Sequence, residues 1–447
     1  MKREMFQAPY PPYDPTDTSG FSYDTVVKRW PIILTNIIDH VHRLLHDMTL
    51  EAQQIRDLDV SKAEELSKKT TEGQEIISEI SRLKYRMARD HELENIIQDG
   101  DILVAEYNAE LESLKQASRN TWFSAPWLYA EYRLIRAYFN QKAYWRGFDP
   151  GAAIYQIATT MHELESEKVK LQGDPDKLEV LFKEMIQMCL WLDLSLLTHL
   201  SPSDIEHLQT VGKEAQEARS DFILKDDQGA VWSYIKTLAN QGKRLDFVLD
   251  NDFVFADFLV TYTPYFSQVV FHPKLFPWFV SDVTPTDFAN TISSLLSATF
   301  FPPNSTTSPD SVAYLQQMVT RWKNYMDKGI FTLATDITNG QKMTEFWNGP
   351  WPYWNMNELA PELGQWLSGS GYRKLAGDVK WPVSTPFPTA IGPLAGSFPL
   401  LSLRTNKADV AVGIDEKVAE NLDNKGEKWR VSGKYALVSF LPGRIIQ

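Results

Sequence analysis

The chain has 447 residues, with 45 Lys and Arg against 58 Asp and Glu, a formal net charge of −13 and one cysteine. That charge argues against broad binding to nucleic acid or to an anionic membrane surface, since both need basic patches. The single thiol, Cys189, excludes an internal disulfide and any multi-thiolate metal site, and no apolar run approaches the roughly 18 residues of a membrane span.

The first 20 residues are polar and carry Pro9, Pro11, Pro12 and Pro15, which predicts an irregular arm rather than a secretory signal or a transit helix. The expected location is therefore the cytoplasm, with the nucleus also open. From 21 to 219 helical patterning dominates. Apolar residues recur at three- and four-residue spacing through Ile80–Gln116, Pro126–Trp145 and Pro175–Leu192. His40, His42 and His46 lie on one predicted helix without acidic or thiol partners, so they read as ordinary histidines. HELEN (91–95) and HELES (162–166) are not zinc-protease motifs, because the second histidine is missing. Cys189 sits in the apolar stretch EMIQMCLWL and reads as packing.

From 220 to 447 strands and helices alternate, which predicts an α/β domain. RLDFVLDN (244–251) reads as a buried strand ending in polar residues, and FVFADFLVTY as the helix after it. The stretch SQVVFHPKLFPWFVSD (267–282) contains a second strand around Val269–Val270 and ends at Asp282. TPTDFANTISSLL follows with Thr284 or Thr286 as a helix cap. FFPPNSTTSPDS (300–311) predicts a loop, while GIFTLATD, LLSLRTNKADVAVGI and KYALVSF read as strands. The expected fold class is a helical N-terminal domain followed by a three-layer α/β/α sandwich with a mostly parallel sheet. The expected ranges are 1–20, 21–219 and 220–447.

Open α/β sheets bind ligands at the carboxyl ends of their strands. Two such ends carry hard oxygen donors, Asp250–Asn251 and Asp282, a set that suits Mg²⁺ or Mn²⁺. The same residues also suit helix capping and turns. A basic group follows: Tyr372, Arg373 and Lys374 in YRKL, then Arg404 and Lys407 in RTNK. Arg and Lys beside a hard metal would neutralise phosphoryl oxygens, and as isolated side chains they would be solvated loop charges. No phosphate-binding glycine loop, dinucleotide fingerprint or serine nucleophile elbow is present. The aromatic stretch FWNGPWPYWNMNELAPEL (346–363) reads as the seal of a core edge.

In order along the chain stand SRNTWFSAPWLYAEYRLIR (118–136), VLDN (248–251), FADFL (255–259) and PWFVSD (277–282). They are followed by FW (346–347), YRKL (372–375), RTNKAD (404–409) and GKY (433–435). Together these segments resemble the damage-control phosphatases of the acidic-residue-methyltransferase-like subfamily, which carry an R-T-x-K motif. The resemblance implies a phosphatase for small sugar phosphates such as fructose 1-phosphate and fructose 6-phosphate, using Mn²⁺, Co²⁺, Ni²⁺ or Mg²⁺. It implies Asp250, Asn251 and Asp282 as metal ligands, with Asp250 and Asp282 both candidates for the general base. Asp250 and Asn251, with Tyr372, Arg373, Arg404 and Lys407, would contact the substrate. No nucleic-acid or membrane partner is expected, and no protein partner is indicated.

Three segments depart from the family pattern. LWLDLSLL (190–197) keeps Asp193 without the usual Gly-Asn; Asp252 follows Asn251 where Ser/Ala-Gly-Phe-Glu is usual; and GQWLSGSGYRKL (364–375) lacks the usual apolar strand and Lys-Gly-Asp-Leu. These departures motivate a second reading, a catalytically silent paralogue that binds metal or ligand. A third is an S-adenosylmethionine-dependent protein-glutamate O-methyltransferase, an activity attributed to the same family.

Overall fold

The computed structural model describes residues 6–97, 103–132, 175–191, 219–248, 253–276, 282–297, 309–368 and 379–443. The chain forms two compact units, 12–153 and 154–447, the latter joined by residues 1–11. No described helix is long and apolar enough to cross a membrane.

The 12–153 unit is helical. Helix α1, Trp30–Ile55, buries Trp30, Leu34, Ile37, Val41 and Leu45, a stripe at three- and four-residue spacing. Helix α2, Val60–Ala88, starts where the Asp59 carboxylate accepts the Lys62 backbone N–H at 2.9 Å, and it packs back along α1. Helix α3, Val104–Gln116, buries Tyr107, Leu111 and Leu114. His40, His42 and His46 fall on the exposed flank of α1.

The second unit runs α4 (Pro175–Trp191), β1 (Ile223–Asp226), α5 (Gln228–Lys236), β2 (Lys243–Val248), α6 (Phe253–Thr261) and β3 (Phe266–His272). It continues with α7 (Pro285–Leu295), α8 (Pro309–Asp327), β4 (Phe331–Leu333), α9 (Pro361–Ser368), β5 (Leu400–Thr405), α10 (Glu416–Asn424) and β6 (Ala436–Leu441). The alternation of strand and helix is the expected one. The compositional change near Ser220 does not coincide with the unit boundary. Helix α4, read from sequence with the helical half, places Phe182, Met185, Ile186 and Trp191 in the same core as the strands.

Among the described residues the strands form two sheets of three. One is wholly parallel, in the order β2-β3-β4; the other has the order β1-β6-β5, with β1 parallel and β5 antiparallel to β6. Alternation along each strand sends side chains to two different cores. Leu245, Phe247, Val269, Phe271, Leu401 and Leu403 enter a large core shared with helices α4 to α8. Val248 and Leu400 face a second core made by the aromatic stretch and α9, including Trp347, Trp354, Leu363 and Leu367. Apolar layers on both faces of the strands give the α/β/α layering. The loop expected at 300–311 lies outside the described residues as far as 308, and α8 begins at Pro309.

Candidate active site

The parallel pairing of β2 and β3 brings their carboxyl ends side by side, with Val248 opposite His272. Beyond Val248 the chain reaches α6 at Phe253, so Asp250 and Asn251 belong to a four-residue connection outside the described residues. Beyond His272 the chain makes an excursion that closes on itself, because the Lys274 N–H donates to the Val283 carbonyl at 2.9 Å. Asp282, half-buried, therefore sits beside the segment that leaves the end of β3. It stands two residues ahead of Thr284, which caps α7. The Thr284 hydroxyl accepts from the Asp287 N–H at 3.2 Å and the Asp287 carboxylate accepts the Thr284 N–H at 2.9 Å, a reciprocal capping box.

The excursion is pinned from the aromatic stretch. The Asn348 side-chain oxygen accepts the Leu275 N–H at 2.8 Å, and its amide nitrogen donates to the Phe276 carbonyl at 2.8 Å. Lys274, almost fully buried, donates from Nζ to the Trp347 carbonyl at 2.8 Å.

Beneath these ends lies a buried polar group on the face of β2 and β3 that Val248 shares. Asp246, with no exposed surface, accepts from Arg244 Nε at 2.8 Å on Oδ2. Its Oδ1 accepts from Trp366 Nε1 at 2.9 Å and lies 2.8 Å from His272 Nε2. The indole N–H of Trp347 points at His272 Nδ1 in a longer contact of 3.4 Å. An indole nitrogen only donates, so Nδ1 accepts and the proton sits on Nε2, directed to Asp246. An imidazolium would set one N–H against another at Trp347. The Arg244 guanidinium lies 4.0 Å from the Trp366 ring centre and donates from Nη2 to the Trp366 carbonyl at 2.6 Å.

The basic group stands on the other sheet. Arg404 is the fifth residue of β5 and Lys407 lies two residues past its end, both half-buried. The main chain between them is tied to the KY segment: Asn406 N–H donates to the Tyr435 carbonyl at 2.8 Å, and Gly433 N–H to the Asn406 carbonyl at 2.9 Å. Arg404 lines a cavity of about 50 Å³ together with Ser402 and Ser439, which face each other across the β5–β6 pair. Trp354, Trp381 and Phe387 form the opposite wall. A space of this size is large enough for several waters, and Arg404 is a charged residue on its lining. Phe6 and Tyr10 from the N-terminal arm pack edge-on against Trp354 and Trp381, at 5.6 and 5.4 Å between ring centres, and so back that wall.

Of the residues singled out from sequence, Asp282, Arg404 and Lys407 are described. Asp250, Asn251, Tyr372 and Arg373 lie outside the described residues, as do Asp193 and Asp252. Among the described residues no three His, Cys, Asp or Glu side chains form a metal-binding cluster. The donor set Asp250, Asn251 and Asp282 nevertheless fits a hard divalent cation in its chemistry, two carboxylates and an amide oxygen. None of Asp246, His272, Lys274 and Trp366 belongs to a catalytic motif in the sequence. The available signal was an Asp inside the apolar run RLDFVL and a His and a Lys beside the end of VVF.

A family model described as the damage-control phosphatase ARMT1-like domain matches residues 25–422. The chain belongs to that family. It is 30% identical over 468 residues to the Danio rerio protein called Damage-control phosphatase ARMT1, covering 94% of each chain. The protein of that name from Xenopus tropicalis is 29% identical over 462 residues, covering 94% of this chain and 96% of its own length. The Homo sapiens one is 27% identical over 470 residues, covering 95% and 97%. Family membership supports a phosphatase in metabolite repair, acting on small phosphorylated metabolites. The matched span of the ARMT1-like family takes in β2, β3 and β5, and with them Asp246, Asp282, Arg404 and Lys407.

Proposed function

We propose that the chain is a divalent-metal-dependent phosphomonoesterase of the cytoplasm that hydrolyses sugar phosphates, fructose 1-phosphate and fructose 6-phosphate being the expected type. The observation that carries this reading is the family match over 25–422, with the R-T-x-K residues Arg404 and Lys407 at the end of β5 inside it. Asp250, Asn251 and Asp282 would hold the cation, Mn²⁺, Co²⁺, Ni²⁺ or Mg²⁺. When bound, it supplies Lewis-acid polarisation of the phosphoryl group. Lys407 and Arg373 would neutralise charge on the transferring oxygens, Arg404 would hold the phosphate side, and Tyr372 would contact the sugar. Asp250 and Asp282 are the two candidates to take the proton of the attacking water. The test is phosphate release from fructose 1-phosphate by the purified full chain with Mn²⁺, Co²⁺ or Ni²⁺. Release that is metal-dependent and lost in Asp250→Ala supports the reading; equal release by the variant refutes the site.

A second reading, a silent metal- or ligand-binding paralogue, is favoured by one specific observation. Helix α6 begins at Phe253, so Asp252 alone separates Asn251 from the helix. The Ser/Ala-Gly-Phe-Glu of the family pattern is missing from the sequence after Asn251. Calorimetry showing Mn²⁺ binding without turnover would decide for it.

A further inference from the structure

We propose that Asp246 is the positioning residue of the proposed site, a single buried carboxylate that sets the mutual placement of its metal-holding and substrate-holding segments. This rests on the functional reading above and adds to it the groups that fix the geometry. Arg244, His272 and Trp366, which donate to Asp246, stand on elements that precede the site segments in the sequence. Arg244 and Asp246 itself stand on β2, which leads to Asp250 and Asn251. His272 is the last residue of β3, whose excursion ends at Asp282. Trp366 stands near the end of α9, which leads to Tyr372 and Arg373.

The described members of the group also hold one another. Arg244 reaches the Trp366 carbonyl and stacks on the same indole whose N–H goes to Asp246. His272 is oriented in turn by Trp347, whose carbonyl holds Lys274 at the start of the excursion. Burying an ionised carboxylate is costly unless it is fully paired, and an apolar residue often serves stability as well. Val248 and Val270 occupy the same face of the strands and are buried, so the face accepts apolar side chains. What a valine at 246 would not supply is direction: the backbone ladder already registers β2 against β3, but the His272 side chain and α9 would lose the acceptor that orients them. Hydrogen-bonded partners of this kind hold reacting groups within the tolerance that chemistry needs.

Two variants of the full chain read the two arms separately. Trp366→Phe removes the indole N–H and keeps an aromatic face for Arg244. It is expected to raise KM for fructose 1-phosphate about tenfold while the Mn²⁺ dissociation constant, by calorimetry, stays at the wild-type value. His272→Leu removes the donor on the β3 arm and is expected to weaken Mn²⁺ binding by about tenfold or more, with His272→Gln restoring most of it through its amide N–H. If wild type binds Mn²⁺ and turns over, and the folded variants keep its dissociation constant and KM while losing only thermal stability, the positioning role is overturned. If wild type itself neither binds Mn²⁺ nor releases phosphate, the functional reading has failed and this inference falls with it. That outcome is visible before any variant is made, and Trp366→Phe alone decides the matter should His272→Leu fail to fold.

Discussion

Asp257 on α6 and Arg321 on α8 form a two-pronged ion pair, with Arg321 Nε donating to Oδ1 at 2.8 Å and Nη2 to Oδ2 at 2.5 Å. The carboxylate has no exposed surface, and Thr261 adds a third donor at 2.8 Å. Removing one partner strands the other charge in the interior. Asp257→Ala should therefore destabilise the chain by about 3–5 kcal/mol, measured as the shift in urea midpoint, whereas Asp257→Leu combined with Arg321→Met should cost much less. Equal losses in the single and double variants would show that the pair contributes little beyond packing.

Thr284 caps α7 with both halves of a reciprocal box. Thr284→Ala should lower stability by about 1 kcal/mol, and Thr284→Ser by only a few tenths. A thermal melt distinguishes the two, since serine keeps the oxygen that receives the Asp287 N–H.

Gly340 follows β4 at a point where the backbone folds back on itself. A methyl group there would meet the Ala334 carbonyl oxygen at 1.6 Å, so main chain rather than a movable side chain would have to yield. Gly340→Ala should cost about 2–3 kcal/mol or more. Unchanged unfolding midpoints would mean that the turn relaxes freely.

Glu110 on α3 is partly desolvated, and burial raises its carboxyl above the ordinary value of 4.5. The native state then holds that proton more tightly than the unfolded chain, so stability declines as pH rises from the unfolded value through the folded one. Glu110→Gln should raise the thermal midpoint near neutral pH and lose that advantage below about pH 4. A gain of the same size at both pH values would assign the effect to packing instead.

Arg404 lines the cavity beside β5 and β6. If it holds the phosphate side of the substrate, Arg404→Met should raise KM by about ten- to a hundredfold, the loss of one charge-assisted hydrogen bond. Inhibition by inorganic phosphate should weaken in the same proportion. A change in kcat with KM untouched would argue against a binding role.

Much of the architecture was readable because its signals are local. Leu34, Ile37, Val41 and Leu45 mark α1 by spacing alone, and the apolar runs of β2, β3, β5 and β6 stand out against polar ends. The aromatic stretch at 346–363 was read as a core seal, and Trp347 and Trp354 are buried as expected. What sequence did not reveal is non-local. RLDFVLDN reads as a buried strand, yet nothing in it names the partners of Asp246, which lie 2, 26 and 120 residues away. Strand β1, with the sequence ILKD, is too short and too polar to register, and it is a strand because β6 lies beside it. Lys407 and Arg404 stand out only through the R-T-x-K resemblance. Their side chains alone would not have separated them from surface charges.

The order β1-β6-β5 makes the last described strand the middle of its sheet. Strand β1 is synthesised some two hundred residues before the partner that will satisfy its backbone, and β5 likewise waits for the same six residues. Until Ala436–Leu441 emerges, both flanking strands present open edges that invite pairing with other chains. That sheet is thus closed only by the last of its three strands to be synthesised. A stop codon just ahead of Ala436 would leave Arg404 and Lys407 encoded but the sheet that carries them without its centre.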